Sequence, residues 1–327
     1  MENNHKKGLV KVVGTQKAVV VVVLIVLFGF FCIMSPMFRQ YSTILSILDY
    51  SYYITFMAIG VTFCLITGGV DLSIGTGMIC CGLVGGYMIN VMGMPTIVGL
   101  LAAIVVGLIF GVINGTLVAV LNIPPFIATL GTMMVARGIG SIATGGLSQT
   151  WPVAGSENGW FRNIFKIDIG GLKLPVGFML IIVTVIVMSI VLNKTNVGRY
   201  IIAIGSNKEA TRLSGVNVVK YQMSAYIISG FFIGLAGISY AATFQAIAPG
   251  TGAGLELDAI GGAIIGGTSM NGGLGSIVGT LLGVFIMSML KTGLPYIGLQ
   301  ANWQQIITCA VLIGAVFIDV QKNKKLQ

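Results

Sequence analysis

The sequence predicts an all-α, polytopic membrane protein of about ten transmembrane helices, one of them truncated. Three observations carry this. No Asp, Glu, Lys, Arg or His stands between Asp71 and Arg137; at about 20 apolar residues per crossing of a bilayer core about 30 Å thick, that stretch alone holds three spans. Charged residues are 8% of the 327 positions and hydrophobic residues 56%, whereas a soluble domain carries roughly a quarter charged residues. Finally, the basic residues are gathered rather than spread. Lys6, Lys7, Lys11 and Lys17 precede the first apolar run, Lys194, Arg199, Lys208, Arg212 and Lys220 fill one loop, and Lys322, Lys324 and Lys325 close the chain. That distribution answers the net charge of +9 without nucleic acid. By the positive-inside rule it marks cytoplasmic segments, so both termini are expected in the cytoplasm after an even number of crossings.

In chain order, residues 1–17 form a basic tail and Ala18–Ser35 the first span. The bulky Gly29-Phe30-Phe31 before Cys32 makes a poor cleavage site, so this span reads as an uncleaved signal anchor in a bacterial plasma membrane. Spans follow at Ile44–Ile66, Leu72–Val91, Ile97–Leu121 and Phe126–Ala143. The polar loop 144–173 is expected outside. Leu174–Leu192 returns the chain to a basic cytoplasmic loop, 193–220, and Tyr221–Thr243 leaves it. Leu257–Thr268 is too short to cross at about 1.5 Å per residue and reads as the truncated helix. Gly275–Leu290 and Trp303–Ile318 complete a single permeation domain, 18–319, before a tail at 320–327.

Glycines recur at spacing four in Gly107, Gly111, Gly115 and in Gly275, Gly279, Gly283, a pattern that lets helix backbones approach closely in lipid. Each triplet lies downstream of an acidic segment, Asp71–Gly75 or Asp258–Gly262, which suggests an internal duplication. The five cysteines lie in apolar segments without metal spacing and read as buried small hydrophobes. No metal-ligand cluster, phosphate-binding Gly-Lys-Ser/Thr loop or catalytic pair is legible. The carboxylates Asp49, Asp71, Glu256, Asp258 and Asp319 all read as span ends or loops.

Two segments interrupt this apolar background. In Thr67–Gly75, TGGVDLSIG, glycines permit a helix break, and Asp71 and Ser73 can cap the helix that follows. In Gly205–Val216, GSNKEATRLSGV, Ser206 or Asn207 can cap a short helix carrying Glu209 and Arg212 and closed by Gly215. That polar helix either lies on the membrane surface or docks another protein.

These same residues resemble the ribose-type ABC sugar permeases. The resemblance rests on Asn196–Val218 and Thr67–Gly75, joined in order by Pro125–Ile139, Glu256–Gly283 and Asn302–Asp319. It implies an ABC importer permease fold, and a homodimer or paired permease forming the translocation path for ribose or a related monosaccharide. An extracytoplasmic sugar-binding protein delivers the sugar. A separate or fused ABC ATPase subunit binds the ATP and Mg, leaving no cofactor and no enzyme site on this chain. Ser206–Ser214 becomes the coupling helix, with Gly205, Ser206, Asn207, Glu209, Arg212, Leu213 and Gly215 as its contact set, and Gly205 and Gly215 setting its entry and exit angles. A neutral sugar calls for hydrogen-bonding and stacking groups, so Asp71, Ser73, Asn114, Thr129, Gln149, Trp151, Trp303, Gln304 and Gln305 are the candidate path residues. For each, helix-to-helix bonding is the plainer role. The competing reading is an ATP-independent secondary carrier for a small polar solute.

Overall fold

Helix α2 (Tyr41–Ile66) is buried at every position from Ser51 to Ile66, the signature of a helix apolar all round and enclosed by others. The computed structural model describes residues 2–324, and side chains for all of these except 2–16, 318 and 322–324. Against α2 pack α9 (Val218–Thr243) and α6 (Gly177–Lys194); α3 (Ile74–Asn90) and α4 (Thr96–Gly115) pack on α9, and α5 (Pro125–Ala143) packs on α3. Helices α10 (Leu255–Ile265), α11 (Ile277–Tyr296) and α12 (Ala301–Lys324) close one side, and α1 (Glu2–Met34) leans on α11. Two short helices, α7 (Asn196–Ser206) and α8 (Lys208–Leu213), occupy the basic loop.

Each of the ten expected segments contains a helix, and eight helices among the described residues are long and apolar enough to cross a membrane. The exceptions are α10, with 11 residues, and α3, with 17; they extend about 16 Å and about 26 Å. The truncated element was expected; the shortness of α3 was not, because the break before it consumes residues counted as span. A π-helical turn over Thr116–Val120 continues α4 to the end of its expected span. The expected N-terminal tail is part of α1 from Glu2 onward. The basic side chains of Lys6, Lys7, Lys11, Lys322, Lys324 and Lys325 fall outside the described side chains.

The two glycine triplets pack, but not alike. A Cβ on Gly107 would overlap the Gly230 carbonyl, so α4 meets α9 backbone to backbone. In the second triplet Gly279 and Gly283 press on the carbonyls of Gly266 and Gly262, at the end of the acidic helix α10 itself. The first acidic segment does not supply the partner of its own triplet, so the packing gives no support to the expected duplication.

At the end away from α7 and α8, the loop after α5 folds as a cap. Strand β1 (Gln149–Thr150) pairs antiparallel with β4 (Ala246–Ile247), and β2 (Ile167–Ile169) pairs with β3 (Leu172–Leu174). Arg162 locks the cap: its Nε donates to the Pro152 carbonyl and its Nη1 to that of Ala242, both at 2.7 Å. Burial pushes the Arg162 guanidinium pKa down from its ordinary value, yet arginine stays charged in proteins. Lys166 pairs with Asp49 on α2 at 2.5 Å, tying the cap to that helix.

Candidate functional site

The segment Gly205–Gly215 builds a short protruding helix. Asn207 is extended (φ −161°) and its side chain accepts the Ala210 N–H at 2.9 Å, capping α8. Ser206 closes α7 instead, its hydroxyl donating to the Ile202 carbonyl. After Leu213 the chain turns through Gly215 at φ +80°, a conformation open to glycine at little cost. Thr211 anchors the inner face, while Glu209 and Arg212 form an ion pair at 2.7 Å, both about two-thirds exposed. Leu213 is 83% exposed at the tip. A leucine presented this way beside two paired charges is left uncovered by the described residues.

Gly205 does not set an angle, as expected of it; it is an ordinary helical position used for contact. A Cβ there would overlap the Ile66 carbonyl oxygen at the last residue of α2, and would crowd the Gly273 amide as well. Gly273 N–H donates to that same Ile66 carbonyl at 2.9 Å. The root of the protruding helix therefore rests directly on both interruptions of the helical bundle: the break 67–73 between α2 and α3, and the turn 266–276 between α10 and α11. Asp319, expected merely to end the last helix, accepts from Ser269 Oγ at 3.2 Å and Met270 N–H at 3.3 Å, tying α12 to that second turn.

Asp71 is fully buried, not a span-end carboxylate. Its Oδ1 accepts from the Ser73 amide (3.0 Å), the Ser73 hydroxyl (2.6 Å) and Asn114 Nδ2 (3.3 Å), and its Oδ2 from Ser229 Oγ (2.7 Å). Asn114 also donates to Ser73 Oγ at 2.9 Å and accepts from Thr132 at 2.7 Å. The break, α4 and α9 thus meet at one carboxylate, and α5 joins them through the Thr132 bond to Asn114. Ser229 lies 11 residues into α9, about 16 Å along it, which places the cluster well inside the bundle. The expected capping by Ser73 is not found: Ser73 is helical (φ −75°) and caps no amide, because its hydroxyl is committed to Asp71.

Thr129, one turn from Thr132, bonds the Pro125 carbonyl at 2.8 Å and that of Val70 at 3.4 Å. The other candidate path residues lie elsewhere. Gln149 and Trp151 belong to the cap, and the buried Trp151 indole donates to the Gly82 carbonyl at 2.9 Å. Gln304 Nε2 donates to the Leu299 carbonyl at 2.9 Å, and Trp303 and Gln305 stand exposed on α12. The structure brings Asp71, Ser73 and Asn114 together with Thr129 nearby, and leaves these two groups apart. Sequence reasoning missed Ser229 and Thr132, whose one signal was a hydroxyl in an apolar span. It also missed that Asp258 accepts from Tyr50 at 2.6 Å and pairs with Lys291 at 3.3 Å inside the bundle.

A family model described as branched-chain amino acid transport system / permease component matches residues 43–316. The ribose import permease protein RbsC of Escherichia coli K12 is 34% identical over 307 residues, covering 92% of this chain and 93% of its own. The galactose/methyl galactoside import permease protein MglC of Haemophilus influenzae is 34% identical over 346 aligned positions, covering 99% and 98%. The ribose import permease protein RbsC of Bacillus subtilis 168 is 32% identical over 320 residues, covering 98% and 96%. No solved structure matches the chain.

Proposed function

The chain belongs to the family of branched-chain amino acid transport system permease components, within its ribose-type sugar branch, and from that premise we propose that it carries a monosaccharide through the membrane as one of two paired permease subunits. It is the permease subunit of a sugar-importing ABC transporter and a multi-pass protein of the bacterial inner membrane. Its partners are an ATPase and a sugar-binding protein. In our reading ATP and Mg are held by the ATPase alone, the α7–α8 end and both termini face the cytoplasm, and the strand cap faces the binding protein.

The observation that carries the reading is the rooting of α8 on both helix breaks through Gly205. A chain driven by hydrolysis elsewhere needs a stiff path from its contact surface to its interior. Here the contact surface is Leu213 with the Glu209–Arg212 pair, and the path runs through Gly205 to Ile66 and the segment holding Asp71. Thr129, Asn114 and the Asp71 cluster are the path-side candidates we retain. Gln149, Trp151, Trp303, Gln304 and Gln305 are retained as contacts nearer the outer opening.

The test is purification of the tagged chain from its native membranes in mild detergent. A stoichiometric ATPase subunit should copurify and be lost when residues 207–215 are scrambled without loss of membrane insertion. A homo-oligomer free of ATPase, under conditions that preserve a known ABC complex, would favour the ATP-independent carrier.

A further inference from the structure

Arg137 stands 12 residues into the 19-residue α5, about 18 Å from its start and about 9 Å from its end. It is exposed on the isolated chain and forms no ion pair among the described residues. Lys291, the other cation deep in a span, is paired with Asp258. The Glu256 carboxylate lies within electrostatic reach of Arg137 without a direct ion pair, and a guanidinium so loosely held at this depth is costly against hydrocarbon; such residues face a bundle interior or a water-filled cavity. Snorkelling does not resolve the cost, because helical side chains lean toward the helix N-terminus, here away from the nearer membrane face.

The surroundings of Arg137 are polar on one side and open on the other. One turn earlier the Met133 carbonyl accepts from Thr76 Oγ1 at 3.0 Å, and beside Thr76 the Gly75 Cα rests on the buried carboxylate of Glu256. On the outward side, Gly131 and Gly138 have nothing within 4 Å of where a Cβ would be. That face of α5 is left uncovered by the described residues.

We infer that Arg137 lines the water-filled translocation path and bonds sugar hydroxyls as the monosaccharide passes, with Glu256 as the carboxylate on the same wall. Five donors in a fixed planar fork can serve two neighbouring hydroxyls at once. The inference rests on the transporter reading proposed above.

The test uses the full complex with ATPase and binding protein, reconstituted in proteoliposomes. In a background lacking the five native cysteines, Arg137→Cys is compared with Val183→Cys, which replaces an exposed residue of α6 at similar depth. The thiol introduced by Arg137→Cys should react with a charged, membrane-impermeant methanethiosulfonate, and that introduced by Val183→Cys only with a membrane-soluble maleimide. Arg137→Ala should lower sugar uptake about tenfold, the worth of a charge-assisted hydrogen bond, with partial recovery in Arg137→Lys and ATP hydrolysis stimulated by the loaded binding protein retained. Resistance of the Arg137→Cys variant to the charged reagent, or unchanged uptake by Arg137→Ala, overturns the assignment. Absence of ATP-driven sugar uptake in the wild-type complex would instead overturn the transporter reading beneath it.

Discussion

The Cα of Gly205 packs against the carbonyl oxygen of Ile66 so closely that no side chain fits between them. The same carbonyl holds the Gly273 amide, so three segments distant in sequence share one oxygen. A displacement of α7 therefore cannot be absorbed by a flexible side chain. It must move the end of α2 and the turn before α11 together.

Gly205→Ala should disturb this junction more than an ordinary glycine substitution in a helix. Overpacking costs about 1–3 kcal/mol, and here the obstacle is backbone. The variant should assemble with the ATPase yet show a reduced ratio of sugar transported to ATP hydrolysed, measured in proteoliposomes. Unchanged coupling would mean that the contact is only filler.

Replacing both Glu209 and Arg212 by Ala should leave chain stability within about 1 kcal/mol, since exposed ion pairs contribute little. The same variant should uncouple ATP hydrolysis from uptake. Leu213→Asp should go further and lower recovery of the ATPase on copurification. Full retention of coupled uptake by the double variant would remove the ion pair from the contact.

Asp71→Ala should be severely destabilising, because Ser73, Ser229 and Asn114 all lose a buried acceptor. Each orphaned group costs about 1–3 kcal/mol. Asp71→Asn keeps one carbonyl acceptor and should lose less. Thermal unfolding of the detergent-solubilised chain orders the variants, and an alanine variant as stable as wild type would refute the hub.

Lys291→Met strands the Asp258 carboxylate, whose partners are Tyr50 and Lys291. Breaking a buried pair from one side costs about 3–5 kcal/mol. Adding Asp258→Asn should restore part of that loss, and a double-mutant cycle measures how much.

Sequence reading located the spans because hydropathy reports composition along the chain, and composition is what a bilayer selects. It misplaced Asp71 for the same reason: a polar break reads as a loop, and nothing local reveals that α2 and α3 meet inside the bundle. Asn207 and Gly215 were legible as cap and terminator because those roles are local. Gly205 was not, since its role depends on the carbonyl of Ile66, far earlier in the chain. Trp151 was legible as an aromatic of the outer loop but its burial was not, since that follows from the pairing of β1 with the distant β4, which no periodicity announces. The glycine triplets announced close packing correctly but were silent on partners.

The most direct measurement is uptake of labelled ribose and galactose by proteoliposomes holding the chain with its ATPase and binding protein. The account predicts accumulation of at least one sugar that requires both ATP on the α8 side and loaded binding protein on the cap side, and that falls sharply with Leu213→Asp. Sugar accumulation by the chain alone, without ATP, would contradict it.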